Sequence, residues 1–134
     1  DHGIETIEER MMKGKDIPGK IRLNMENHNN YLKVIVSDDG KGFDKKKIFD
    51  TAIKRGIELH SLNDLTDTKL FEIVSKSGFS TKTEVTDISG RGVGLDVITK
   101  DIRNIGGTVQ INSEPDKGVE VVISINLEDE RVKV

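Results

Sequence analysis

Residues 87 to 107 read DISGRGVGLDVITKDIRNIGG, and no other stretch restricts the fold so tightly. Glycines at 90, 92 and 94 stand just before Leu95, Ile98, Ile102 and Ile105, which fall on one face of a helix, and Gly106-Gly107 supplies its stop. Glycine is costly in backbone entropy, so this clustering means that the chain needs positive φ there or that something approaches the backbone closely. The first helical turn offers unpaired N–H groups and the positive end of a dipole, a setting that suits an anion. A plain tight turn is the competing reading, and the segment alone does not separate the two.

The 134 residues are enough for one domain with a single core. Hydrophobic and charged residues each make up 34% of the chain, the balance of a soluble globular domain. No apolar run reaches spanning length and no leader pattern is present, so a cytoplasmic protein without direct membrane insertion is expected. The absence of cysteine excludes disulfides and thiolate metal sites. A net charge of −3 argues against a nucleic-acid surface, so a polyanionic ligand needs a local cluster of Lys and Arg. The chain opens on Asp1, as expected of a segment cut from a longer polypeptide.

Ile4, Ile7 and Met11 have the spacing of a short amphipathic helix ended by Gly14. Ile21, Leu23 and Met25 alternate with polar residues, as do Leu32, Val34 and Val36, and Asn27 to Asn30 form the turn of the resulting antiparallel hairpin. A helix is expected from Lys45 to Arg55, with Ile48, Phe49, Ala52 and Ile53 inward and Gly56 closing it. Residues 57 to 90 are mostly polar, with one helical turn around Leu70, Phe71 and Val74, and read as a functional lid. Two strands follow the glycine-rich helix, Val109 to Asn112 and Val119 to Leu127, joined by a turn over Pro115 to Gly118. The expected fold is α+β: a two-layer sandwich with helices on one face of a mixed, mostly antiparallel sheet. Residues 1–127 form the domain and 128–134 a tail or linker.

SDDGKGFD falls at a strand end. It is ordinary turn chemistry on one reading. On the other, Asp38 accepts a hydrogen bond from an exocyclic amine while Gly40 and Gly42 leave room for a flat ring. A calcium loop fails, because Gly40 occupies a ligand position and no glutamate closes the loop. A dinucleotide fingerprint is weakened by Leu95 where glycine is required, and no P-loop pattern occurs. GFSTKT, residues 78 to 83, is either a solvated loop or a cover that brings Ser80, Thr81 and Lys82 over phosphates. Lys45 to Lys47 read as a solvated helix face, with Lys47 a candidate for one phosphate contact. His28 and His60 read as surface residues, and no metal-ligand spacing is present.

DHGIE, VSDDGKGFD, SGFST and VTDISGRGVGLDVI, in this order, resemble the ATP-binding catalytic domain of chemotaxis histidine kinases of the CheA type, within the wider family shared with gyrase, heat-shock protein 90 and MutL. The resemblance covers Asp1 to about Leu127 and implies a Bergerat-type ATP-binding fold. It gives Asp38 the adenine amine, shaped by Gly40 and Gly42. It makes Ser80, Thr81 and Lys82 lid contacts, and makes Gly90, Gly92, Val93 and Gly94 the backbone cradle of the phosphates. Asp1 and His2 match the end of an asparagine-bearing motif whose magnesium ligand is expected upstream of Asp1. In the family, ATP with Mg2+ passes its γ-phosphate to a histidine on a separate phosphoacceptor domain, and adjacent dimerisation and receptor-coupling domains complete the kinase. Val119 stands where the family carries threonine, and Ser77 where it carries proline. These departures, with the absent asparagine, leave a non-catalytic nucleotide-binding or interaction module as the alternative, and turnover by this chain alone is not expected.

Overall fold

The computed structural model describes residues 3–76 and 95–132. In chain order they form α1 (Ile7–Met12), β1 (Ile21–His28), β2 (Tyr31–Asp38), α2 (Lys45–Lys54), a 3-10 turn at Leu62–Asp64, α3 (Asp67–Val74), α4 (Leu95–Asn104), β3 (Thr108–Glu114) and β4 (Gly118–Asn126). The four strands make one sheet in the order β1-β2-β4-β3. In the expected mixed, mostly antiparallel sheet, all three pairings among the described strands are antiparallel. β1–β2 and β3–β4 are consecutive antiparallel pairs, whereas β2 and β3 lie on either side of β4 and run in the same direction, so the helical connection between them is a crossover although no parallel pair forms.

The β1–β2 turn is tighter than expected. Asn27 and His28 belong to β1, and only Asn29 and Asn30 turn, at φ 49° and 66°. Two successive left-handed residues match the twist of a two-residue hairpin, and asparagine tolerates them.

Register fixes one apolar sheet face. Leu23, Val36, Val121 and Ile111 lie in one cross-strand row, and Met25, Val34, Ile123 and Val109 in the next. Among the described residues, helices cover this face on the β3–β4 side, where Phe71 of α3 and Leu95 and Ile102 of α4 meet Val109, Ile111, Val121 and Ile123. Burying Val109 and Ile111 contributes roughly 1.5–3 kcal/mol each. At the β1 side Ile21, Leu23 and Met25 are 61–72% exposed. A second cluster lies among the helices themselves: Ile48 and Ala52 of α2, Leu59 and Leu65 of the connection, and Leu70 and Ile73 of α3. Phe43 packs against both clusters.

Three expectations need correction. The Ile7 and Met11 stripe of α1 faces solvent, and the buried residue of that helix is Arg10, because charged partners rather than apolar ones surround it. In α4, Ile98 is exposed and Thr99 is buried, while Leu95, Ile102 and Ile105 are half-buried. Residues 57–76 hold more than one helical turn: α3 runs from a Thr66 cap and buries Leu70, Phe71 and Ile73. The remainder of the expected lid, through residue 90, includes residues 77–90, which lie outside the described residues.

Candidate functional site

Asp38 ends β2 next to Gly118, the first residue of β4, and its environment is set by backbone crowding. A Cβ on Gly118 would stand 2.0 Å from the Asp38 carbonyl oxygen, and Gly118 itself has φ +111°. No other residue permits that approach. The carboxylate is held at one oxygen only. Oδ1 accepts from the Gly40 N–H at 2.8 Å and, at 3.4 Å, from the Val119 N–H. No described residue donates to Oδ2, whose neighbourhood includes Gly3.

Two cavities share Asp38, Ser37 and Val119. One, of about 440 Å³, is walled by Ile4, Ile21, Val36 and Val121. It is apolar apart from Asp38 and Ser37, the make-up of a pocket for a flat, weakly polar ring that carries one donor. The other, about 500 Å³, is polar and open, lined on its far side by Asp67, Asn112, Glu114 and Lys117.

Gly40 and Gly42 both stand where backbone approaches closely. A Cβ on Gly40 would meet the Gly3 carbonyl oxygen at 2.0 Å, and one on Gly42, at φ +73°, would meet the Glu114 carbonyl at 2.5 Å. Neither glycine is among the described residues that line the two cavities. Lys47 is likewise outside both. It occupies the first turn of α2, where its N–H is capped by the Asp44 side chain at 3.1 Å. Lys45 is the member of the lysine run that approaches a cavity wall, with Nζ 4.0 Å from Asp67. Asp1, His2, Ser80, Thr81, Lys82, Gly90, Gly92, Val93 and Gly94 lie outside the described residues. His28 and His60 are exposed beside Glu26 and Glu58.

Sequence reasoning missed the apolar walls Ile4, Ile21, Val36 and Val121 as one group, because they come from three strands and the segment before α1. It also missed a charged cluster behind Asp38. Arg10 and Glu5 have side chains 2% and 1% exposed and are joined at 3.0 Å, and Arg10 reaches Asp39 at 2.8 Å. Lys15 closes the set at 2.6 Å from the other Glu5 oxygen. Burial works to raise the Glu5 pKa, but the Lys15 hydrogen bond and the charges of Lys15 and Arg10 outweigh it and hold the carboxyl below its ordinary value. The Lys20 N–H, followed by Arg10, holds Asp39 low as well, against burial. Among the described residues no group of three or more His, Asp and Glu side chains is arranged to hold a metal ion.

Comparison with known proteins places this geometry. The chain is 41% identical over 127 residues to the chemotaxis protein CheA of Treponema pallidum, which is 95% of this chain and 16% of that protein. It is 40% identical over 119 residues to CheA of Bacillus subtilis, covering 88% of this chain and 18% of the relative. It is 38% identical over 128 residues to the sensor histidine kinase CheAY of Helicobacter pylori, covering 95% and 16%. The chain thus spans less than a fifth of the length of these three relatives. Among solved structures, the catalytic domain of the histidine kinase ThkA superposes with a TM-score of 0.53 at 22% identity, over 84% of this chain and 56% of that one, a likeness of fold. The family model described as histidine kinase-, DNA gyrase B- and HSP90-like ATPase matches residues 4–129. An antiparallel sheet with helices on one face, Asp38 lining an apolar cavity, and a match along nearly the whole chain lead to one assignment: the chain belongs to the histidine kinase-, DNA gyrase B- and HSP90-like ATPase family.

Proposed function

We propose that this chain is the ATP-binding catalytic domain of a cytoplasmic chemotaxis sensor histidine kinase, in which the γ-phosphate of ATP passes to a histidine on a separate domain. The observation that carries the reading is the Asp38 carboxylate, anchored through Oδ1 and open at Oδ2 beside an apolar cavity of about 440 Å³. Oδ2 accepts the exocyclic amine of adenine, and Ile4, Ile21, Val36 and Val121 contact the ring faces. A nucleotide without that amine leaves a carboxylate unpaired, which is how the site selects adenine.

The phosphates fall to the glycine-rich segment through Gly94 and to Ser80, Thr81 and Lys82, as the family resemblance implies. Magnesium, when bound, supplies charge neutralisation at the phosphates. The described residues offer no ligand set of their own for it. What this chain contributes is positioning: it holds the base and sugar end while the reacting phosphate faces the acceptor domain. Phosphoacceptor, dimerisation and receptor-coupling domains of the longer polypeptide are the partners, in keeping with relatives several times longer. No described helix is long and apolar enough to cross a membrane.

Val119 supports a second reading, a nucleotide-binding module without turnover. Its aliphatic side chain lines both cavities where the family's threonine brings a hydroxyl.

Calorimetric titration of ATP and ADP, with and without magnesium, tests the site. Asp38→Asn is expected to weaken ATP by about a hundredfold while the fold persists. Unchanged affinity in that variant overturns the adenine assignment. Binding by the wild type with no phosphate transfer in the full-length protein selects the second reading.

A further inference from the structure

The peptide unit between Asp39 and Gly40 is gripped from both sides. On one side its N–H, from Gly40, donates to Asp38 Oδ1 at 2.8 Å. On the other its carbonyl, from Asp39, accepts from Lys15 Nζ at 3.0 Å and from Arg10 at 3.4 Å. In a trans peptide the C=O and N–H point in opposite directions, so holding the oxygen aims the N–H. The next carbonyl, of Gly40, is held by the same Lys15 Nζ at 2.8 Å. Arg10 also draws the Asp39 carboxylate to itself at 2.8 Å, and the Lys20 N–H takes its other oxygen at 2.8 Å. Asp39 thereby stays out of the apolar cavity, where a second acid would compete for the amine.

The two cations are fixed in turn. Glu5 binds Arg10 through one oxygen and Lys15 through the other, and Arg10 Nε donates to the Asp16 carbonyl at 2.7 Å. Arg10 and Lys15 face the Glu5 and Asp39 carboxylates, and Lys13 stands 3.9 Å from Glu5 and pairs with Asp116. The Arg10 and Glu5 side chains are almost wholly out of contact with solvent, which makes removing either partner costly. None of the Arg10, Lys15, Glu5 and Asp39 side chains lines the cavity.

We infer that Arg10 and Lys15, held by Glu5, are positioning residues that set the orientation of the Asp38 carboxylate and through it the selection of adenine over other bases. This inference rests on the adenine reading of Asp38. The test uses the full-length protein and two nucleotides, ATP and inosine triphosphate, which carries a carbonyl where adenine carries its amine. Lys15→Met removes the grip on both carbonyls. Arg10→Lys keeps the charge but loses the planar fork that spans Glu5 and Asp39.

Each variant is expected to bind ATP about tenfold more weakly with inosine triphosphate changed far less, so that the ratio of the two affinities collapses. Lys15→Arg, which keeps a donor at these carbonyls, is expected to restore the ratio. A purely structural role lowers both affinities together and leaves the ratio intact, and that result in either folded variant overturns the inference. If wild type and Asp38→Asn bind the two nucleotides with the same ratio, the adenine reading itself is overturned. A ratio that changes in Asp38→Asn but not in Lys15→Met or Arg10→Lys overturns the positioning role alone.

Discussion

Asp38 has the place it has because Gly118 lets β4 start against its carbonyl. Gly118→Ala would insert a methyl group 2.0 Å from that oxygen at a φ of +111°, and the neighbour it strikes is backbone that cannot swing away. We expect a loss of roughly 2–4 kcal/mol, from strain and displacement together, measured by urea denaturation. How much of this was visible in advance divides along sequence distance. Asp38 could be found because a strand, two carboxylates and a glycine stand side by side in the chain. The need for glycine at 118 comes from a residue eighty positions earlier, and no local pattern carries that. Gly40 and Gly42 were found as glycines, but the backbone approach of Gly3 and Glu114 that also requires them exists only in the folded chain.

Helix α1 shows how an element can be located and yet turned the wrong way. Thr6 caps it, accepting from the Glu9 N–H at 3.2 Å while Glu9 reaches back to the Thr6 N–H at 2.9 Å, whereas the apolar spacing and the Gly14 stop were what located it. Its apolar spacing pointed inward along Ile7 and Met11, but the inward residue is Arg10, whose partners Glu5, Asp16 and Asp39 come from outside the helix. Charge pairing across the fold overrode periodicity. The consequence is a pH dependence of known sign. Glu5 faces Arg10, Lys15 and Lys13, and Asp39 faces Arg10 and the Lys20 N–H; both carboxyls sit below their ordinary values when folded. The unfolded chain therefore binds more protons in that range, so stability is fully present above it and falls as pH drops from about 5 through the lowered values. Glu5→Gln is expected to be less stable than wild type at neutral pH and to lose less on acidification, a comparison made by thermal unfolding across pH 3–7 in roughly half-unit steps.

At the scale of the whole molecule, residues 57–76 were the least legible part. Their polar composition suggested a loose segment, whereas Leu59, Leu65, Leu70 and Ile73, at irregular spacing, converge on Ile48 and Ala52. Periodicity cannot reveal a core built by a connection that folds back on two helices. The four strands, by contrast, alternate cleanly and were found within a few residues of their ends. Among the described residues, apolar packing is thus divided between an interhelical cluster and a sheet-bound cluster, with Phe43 shared by both and its N–H tied to Ser113 Oγ at 2.8 Å. A molecule divided in this way has a seam along which it can open without melting. Amide deuterium exchange should resolve two cooperative populations: amides of α2 and α3 exchanging as one group, those of β2, β3 and β4 as a slower one. Phe43→Ala should speed the first group far more than the second, and identical acceleration of both would mean that the two clusters open as one. Phe43 follows Asp38, the last residue of β2, by only a few positions, so breathing of the helical layer would reach the proposed nucleotide site through a short lever.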